Sequence, residues 1–310
     1  MPRIDFMQTF LKVVEKGSLK GAAKDLNMSV SSVSFQINSL EEFYGAKLLE
    51  RKVSGVNLTE EGIIVMKNME TILGSIEDTK KLIASLREDK ITIASGMVGL
   101  NTVFHLQSLL KARYPGLEVN VVLRGAHECV KMLNRGETDF AIVGDLSEDV
   151  DDKRFLVSEL GKDWLVLITP MNHSLANKDE VFLEDVIQYP MIFLTEDYGI
   201  TTSIKKALKE SGIDEEPKSS LTVGDFFSKL NSVSSNLGIA ITSLIAASKA
   251  YEVGLVKVRS IKGFKSERSI YLVTSTLSTE CMRMKEYHSF IVENSRRLFE
   301  NYRNIYNNLQ

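Results

Sequence analysis

The stretch "SLKGAAKDLNMSVSSVSFQINSLEEFY", residues 18–44, decides the fold. Two short helical patterns meet in it at Asn27-Met28-Ser29. Ser18 is placed to cap the first, whose core face uses Leu19, Ala22, Ala23 and Leu26. The adjacent alanines let another helix approach closely. Asn27 suits a left-handed C-terminal position, and Ser29 caps the next helix, which runs to about Tyr44. That helix has a buried stripe of Val33, Ile37, Leu40 and Tyr44, spaced four, three, four. At about 100° per residue, Ser31, Phe35 and Asn38 lie roughly opposite the stripe, with Ser34 beside them.

Upstream, Met7, Phe10, Leu11 and Val14 repeat at helical spacing, so residues 4–15 read as an amphipathic helix stopped by Gly17. Two short helices joined by a tight turn make a helix-turn-helix, whose second helix is free to enter the major groove of DNA. Serine and asparagine can donate to phosphates and base edges, and Phe35 suits a thymine methyl or a sugar. Downstream, "AKLLERKVSGVNLTEEG" has the look of a hairpin with a Ser-Gly turn, a wing that carries Arg51 and Lys52 to the neighbouring phosphates. The same pattern also fits a helical bundle with a polar surface, since the outer face of the second helix has no basic residue.

A length of 310 residues predicts two or three units, and 44% hydrophobic with 25% charged residues is ordinary globular composition. The net charge of −3 argues against a protein that coats nucleic acid through bulk charge, but leaves room for one small domain that docks by geometry. Cys129 and Cys281 read as reduced thiols, and no Cys/His cluster or histidine spacing (His105, His127, His173, His288) suits a metal, so no cofactor is expected. No export signal and no apolar run of about 18 residues is visible, which predicts a cytoplasmic chain with no membrane segment.

From Glu60 to about Leu86 there is no proline, and Thr59 with two following glutamates suits a helix start. Val65, Met69, Ile72, Ile76, Thr79, Ile83 and Leu86 form a heptad seam. Either this helix pairs with a second copy, or it packs on its own domain. Pairing gives a homodimer with two recognition helices and hence a two-part, roughly palindromic operator on double-stranded DNA.

After the charged "LREDK", short β-branched runs alternate with helical ones. "ITIAS", "EVNVVL", "FAIVG", "WLVLIT", "MIFL" and "IAIT" read as buried parallel strands, with helices near 101–113, 126–135, 201–211 and 225–235, an α/β pattern. Ligands of open α/β sheets sit at strand carboxyl ends near helix N-termini. This rule selects Ser95, Gly96, Met97 and Val98 after the first strand, Thr201 and Thr202 after "MIFL", and Asp225. Hydroxyls and helix amino ends suit a small effector, a carboxylate or an inorganic anion. Each hydroxyl fits helix capping as well, Asp225 reads more readily as a cap, and Met97 fits core as well as pocket. No nucleophile elbow, P-loop or dinucleotide fingerprint points to an enzyme. Adjacent Glu196 and Asp197 read as solvated loop acids.

The whole of residues 6–62, with "GSLKGAAKDLNMS", the "S–QI–LEE–G–LLER" succession and "LTEEG", resembles the amino-terminal domain of LysR-type transcriptional regulators. A weaker resemblance continues through "RYPGLEVNVVL", "LNRGETDFAIVG" and "LGIAITS". It implies a winged helix-turn-helix (residues 1–59), a dimerising linker helix (60–89) and an effector-binding domain of periplasmic-binding-protein type (90–310). The last has two lobes, about 91–164 with 270–310, and about 165–269. It further implies a tetramer built from dimers, and RNA polymerase as a partner. Ser29, Ser34, Gln36 and Arg51 match the family's DNA-contacting pattern. Val30 and Ser31 stand where glutamine and proline are usual, and Phe35 where arginine is usual, which removes a phosphate or guanine partner. Thr201 falls on the threonine of the "E-P-G-S-G-T" loop of some relatives. The sensor half alone also fits a solute-binding protein without regulatory DNA binding.

Overall fold

The computed structural model describes residues 3–52, 55–85, 89–96, 99–144, 146, 150, 153–196, 198–213 and 219–310. Helix α1 (Ile4–Lys16) ends where Gly17 turns left-handed, at φ 61°. Helix α2 (Leu19–Asp25) starts where the Gly21 N–H donates to Ser18 Oγ at 3.0 Å. Asn27 takes the left-handed bend at φ 52°. Helix α3 (Val30–Tyr44) then starts with the Ser32 N–H donating to Ser29 Oγ at 3.0 Å. Strands β1 (Leu49–Lys52) and β2 (Gly55–Leu58) pair antiparallel from Leu49↔Leu58 to Lys52↔Gly55. Helix α4 (Glu60–Ser85) follows, its Gly62 N–H donating to Thr59 Oγ1 at 2.9 Å. Gly62 is required here: a Cβ would lie 2.1 Å from the Leu48 carbonyl oxygen.

Phe10, Val13, Ala22, Ala23, Val33, Ile37, Leu40, Leu48, Val65 and Met69 form one core. Tyr44 departs from its expected place on the buried stripe and is exposed. Glu41 is buried instead. Its carboxylate accepts the Leu48 and Leu49 N–H groups at 3.0 and 3.4 Å and pairs with Lys47 Nζ at 2.6 Å. The chain leaves α3 at Gly45 and doubles back, so the amides that begin the wing need an acceptor just where Glu41 stands. Val65 and Met69 also correct an expectation. Both turn into this core, so they cannot belong to a seam with a second copy. Ile72 and Ile83 on the same helix are exposed, as is Ile64, and Ile76 is half-buried.

The second unit begins with β3 (Lys90–Ser95), α5 (Leu100–Arg113), β4 (Glu118–Leu123), α6 (Ala126–Asn134) and β5 (Phe140–Val143). The long β6 (Phe155–Thr169) leads to α7 (Leu183–Val186), β7 (Met191–Leu194), α8 (Gly199–Glu210), β8 (Ser219–Val223) and α9 (Phe226–Ser234). Then come β9 (Ala240–Ser243), α10 (Leu244–Glu252), β10 (Lys257–Arg259), β11 (Glu267–Ser275) and α11 (Met282–Asn307). One sheet runs β10-β6-β11-β5-β3-β4, with β9 also on β6, while β7 and β8 pair separately.

Strands β3, β4 and β5 are parallel, as are β7 and β8. The "WLVLIT" and "IAIT" runs are not: β6 is antiparallel to β9, β10 and β11. A continuous apolar run reports burial on both faces rather than strand direction. The sheet partners of β6 change along its length, from β11 up to Trp164 to β9 from Leu165. The asparagine-rich end of α11 is held in place. Tyr306 stacks on Trp164 at 4.9 Å between centroids, and the Leu309 carbonyl accepts from Ser260 Oγ at 2.7 Å.

Candidate nucleic-acid interface and effector cleft

Helix α3 sorts its residues by face. Val33, Ile37 and Leu40 are inside, while Val30, Ser31, Phe35 and Asn38 are exposed, Phe35 by 65%. Ser29 Oγ lies 2.8 Å from Ser31 Oγ and 2.7 Å from Ser32 Oγ, so a cluster of hydroxyls crowns the N-terminus of the helix. That end carries the positive pole of the helix and suits a phosphate. Ser34 is half-buried beside this face. Gln36 is half-buried too, and its Oε1 is buried with no hydrogen-bond partner. Gln36, next to the buried Ile37, thus sits at the edge of the outer face. The β1–β2 hairpin forms the wing, with Arg51 opposite Val56 and Lys52 opposite Gly55. The side chains of Arg51 and Lys52 lie outside the described residues. The wing is anchored to the end of α1 by the Val56 N–H donating to the Gly17 carbonyl at 2.9 Å.

In the second unit, the sequence-selected residues divide. Ser95 is fully buried and its hydroxyl donates to the Gly96 carbonyl at 3.0 Å. Gly96 is buried as well, its N–H donating to the Ile142 carbonyl at 2.9 Å. Met97 and Val98 lie outside the described residues. Thr201 is buried, and its hydroxyl donates to the carbonyls of Leu194 and Thr195 at 3.2 and 3.4 Å. Asp225 caps α9, accepting the Ser228 N–H at 2.8 Å and the Ser228 hydroxyl at 2.6 Å. These hydrogen bonds hold its carboxyl below the usual range. Ser95 and Thr201, expected as ligand-facing groups, turn their hydroxyls to backbone carbonyls instead, and Asp225 is the helix cap that its place in the sequence favoured. Thr202, in the first turn of α8, is exposed.

Sequence reasoning missed a charged pair. Arg268 on β11 and Asp163 on β6 are both buried, with Arg268 Nε and Nη2 donating to Asp163 Oδ2 at 3.0 and 2.9 Å. Asp163 Oδ1 accepts the Ser243 hydroxyl at 3.0 Å and the Ile245 N–H at 3.2 Å. The Nη1 edge of Arg268 reaches Ser203 Oγ on α8 at 3.5 Å and lies beside Gly144. Close by, a Cβ on Gly199, at the start of α8, would lie 3.7 Å from Ala126 Cβ at the start of α6. The first residues of α6 and α8 therefore lie close together, and the Arg268 guanidinium reaches the first turns of α8. No signal in one sequence ties residue 163 to 268, because the link is made by the antiparallel pairing of β6 with β11.

A winged helix-turn-helix followed by a long helix and an α/β unit defines a class of transcription regulator with a DNA-binding part and an effector-binding part. The comparisons make this specific. Residues 4–63 match the model for bacterial regulatory helix-turn-helix proteins of the lysR family, and residues 85–296 match the LysR substrate binding domain. The chain belongs to the LysR family of transcription regulators. An uncharacterized HTH-type transcriptional regulator of Methanocaldococcus jannaschii is 30% identical over 297 residues, covering 94% of this chain and 99% of that one. Among solved structures, the LysR family transcriptional regulator CbnR is similar in fold, with a TM-score of 0.55 at 17% identity over 93% of this chain and 99% of that one. The regulatory domain of Synechocystis PCC6803 CcmR, solved in complex with 2-PG, has a TM-score of 0.60 at 15% identity over 67% of this chain and 97% of that one. Among the described residues no helix is long and apolar enough to cross a membrane.

Proposed function

We propose that this regulator lays α3 in the major groove with Ser29, Val30, Ser31, Ser34, Phe35 and Asn38 toward DNA, and that Arg51 and Lys52 of the wing hold the flanking phosphates. The observation that carries this is the division of α3 into an inner face of Val33, Ile37 and Leu40 and an outer face of small polar groups around Phe35. Pairing through α4 at the exposed Ile72 and Ile83 and the half-buried Ile76 sets two such helices on a two-part operator. Dimers join into a tetramer and meet RNA polymerase in the cytoplasm. The test is a mobility shift with DNA from upstream of the chain's own gene, across a series of salt concentrations. Salt-sensitive retardation that weakens when Ser34 and Arg51 are both changed to alanine is expected. Equal binding by the double variant would refute the docking assignment.

The effector is a small anion, a carboxylate or a phosphate ester, held where the α6 and α8 amino ends, Thr202, Ser203 and Arg268 converge. Support comes from the positive pole of each helix and the nearby guanidinium edge. CcmR was solved with 2-PG in the corresponding kind of domain, which fits this class. Thermal-shift screening of small acids and phosphate esters is the direct assay, because a bound ligand raises apparent stability. If Thr202→Val with Ser203→Ala left the affinity of the ligand found unchanged, the placement would fail.

A further inference from the structure

Phe35 is the anomaly of the outer face of α3, an aromatic ring 65% exposed among serines and an asparagine. It does not stand alone. Its ring meets that of Phe6 on α1 edge-to-face, with centroids 6.3 Å apart and planes at 83°. The Arg3 guanidinium in turn lies over the Phe6 ring at 5.6 Å from its centroid. Arg3 also pairs with Asp5 at 3.0 Å, and both side chains are largely exposed. Val30, the first residue of α3, is also exposed, by 47%. Guanidinium, ring and ring thus form one connected chain from the start of α1 to the face of α3.

A phenyl ring offers no hydrogen bond to a base edge. In a major groove it can gain from apolar contact, and the 5-methyl group of thymine is the apolar group a B-form duplex displays there. The edge-on contact with Phe6 limits the rotamers of Phe35 before binding, so less side-chain freedom is lost when the contact forms. Arg3 adds a cation at the rim, where a phosphate can compete for it with Asp5. We propose that Phe35, braced by Phe6, reads a thymine methyl in each half-site, and that Arg3 binds an adjacent phosphate in place of the cation α3 lacks. This rests on the docking of α3 in the major groove proposed above.

The test uses the full chain. A random duplex pool is selected for binding, and each thymine of the preferred duplex is then replaced in turn by uracil, which removes only the methyl group. A single uracil at the contacted position of either half-site is expected to weaken binding about fourfold, the worth of one buried methyl group. Phe35→Ala should abolish that discrimination, and since Phe35 is mostly solvent-exposed the change leaves the core of Val33, Ile37 and Leu40 in place. Arg3→Ala should lower the salt slope by about one phosphate contact per protomer and leave the thymine–uracil ratio alone. Binding that is indifferent to every uracil, or a uracil effect equally large in Phe35→Ala, overturns the methyl readout while leaving the docking intact. An unchanged salt slope in Arg3→Ala overturns the role of Arg3. Failure to select any duplex removes the docking reading, and this proposal with it.

Discussion

Lys229 offers a test of the second unit in which sign and size both follow from position. It lies on α9 with 1% of its surface exposed, and its Nζ donates to the Ile241 carbonyl at 2.9 Å. Among the described residues no carboxylate pairs with it. Burial alone pushes its pKa from 10.5 down to about 7. The unfolded chain therefore binds this proton more tightly than the folded one. Between pH 7 and 10.5 the unfolded amine is protonated and the folded one is not, so the contribution of Lys229 to stability rises with pH. Below pH 7 both states carry the proton and the penalty is constant. At about 1.4 kcal/mol per pH unit, the full displacement corresponds to about 5 kcal/mol as an upper bound, since proteins relax around buried charge. Lys229→Met keeps the stem and removes the charge, at the loss of one hydrogen bond worth about 1 kcal/mol. The variant should therefore be more stable by roughly 2–3 kcal/mol near pH 6.5, and the gain should vanish by about pH 10. At about 2–4 °C per kcal/mol for a unit of this size, the midpoint rises by about 4–12 °C at the lower pH. The single tryptophan, Trp164, lies in β6 and reports unfolding of this unit directly. Urea titrations of both proteins at several pH values give the difference, in which all other titrating groups cancel. A difference flat with pH, or a variant weaker at every pH, would refute the reasoning.

Glu41→Ala should destabilise the first unit by about 2–4 kcal/mol, because it leaves the Leu48 amide buried without its acceptor; helix-monitored urea unfolding measures this. Ile72→Glu with Ile83→Glu should shift the chain toward monomer in sedimentation, whereas an unchanged sedimentation coefficient would exclude that face of α4 as the seam. The Cys129 thiol, pushed up to about 12 by burial, should react with a thiol reagent at neutral pH only at the rate of unfolding, while Cys281, half-buried, reacts faster. Fast native-state labelling of Cys129 would contradict its burial.

The first unit was legible because its signals are local. Ser18, Asn27, Ser29 and Gly45 each mark a helix end within a few residues of the cause, and the apolar stripe follows from helical period. The role of Glu41 was hidden because its partners, the amides of Leu48 and Leu49, become neighbours only once the chain turns at Gly45. In the second unit helices α5, α6, α8 and α9 and most strands were readable from alternating composition, while α7 and α10 were not; strand direction was not readable either, since β6 is equally apolar whichever way its neighbours run. The candidate cleft was the least legible part. Rules about helix starts found Ser95, Thr201 and Asp225, which stand at the right turns yet direct their polar atoms at the backbone. Arg268 and Asp163 are 105 positions apart, and only tertiary pairing joins them.

The burial of Val65 and Met69 has a mechanical consequence. These residues weld the opening turns of α4 to the same core that fixes α3, so the stalk and the reading head turn as one piece. At 1.5 Å per residue, the 26 residues of α4 make a rod about 39 Å long. Over a rod of that length a tilt of about three degrees moves the far end by about 2 Å, a displacement of bonding dimensions.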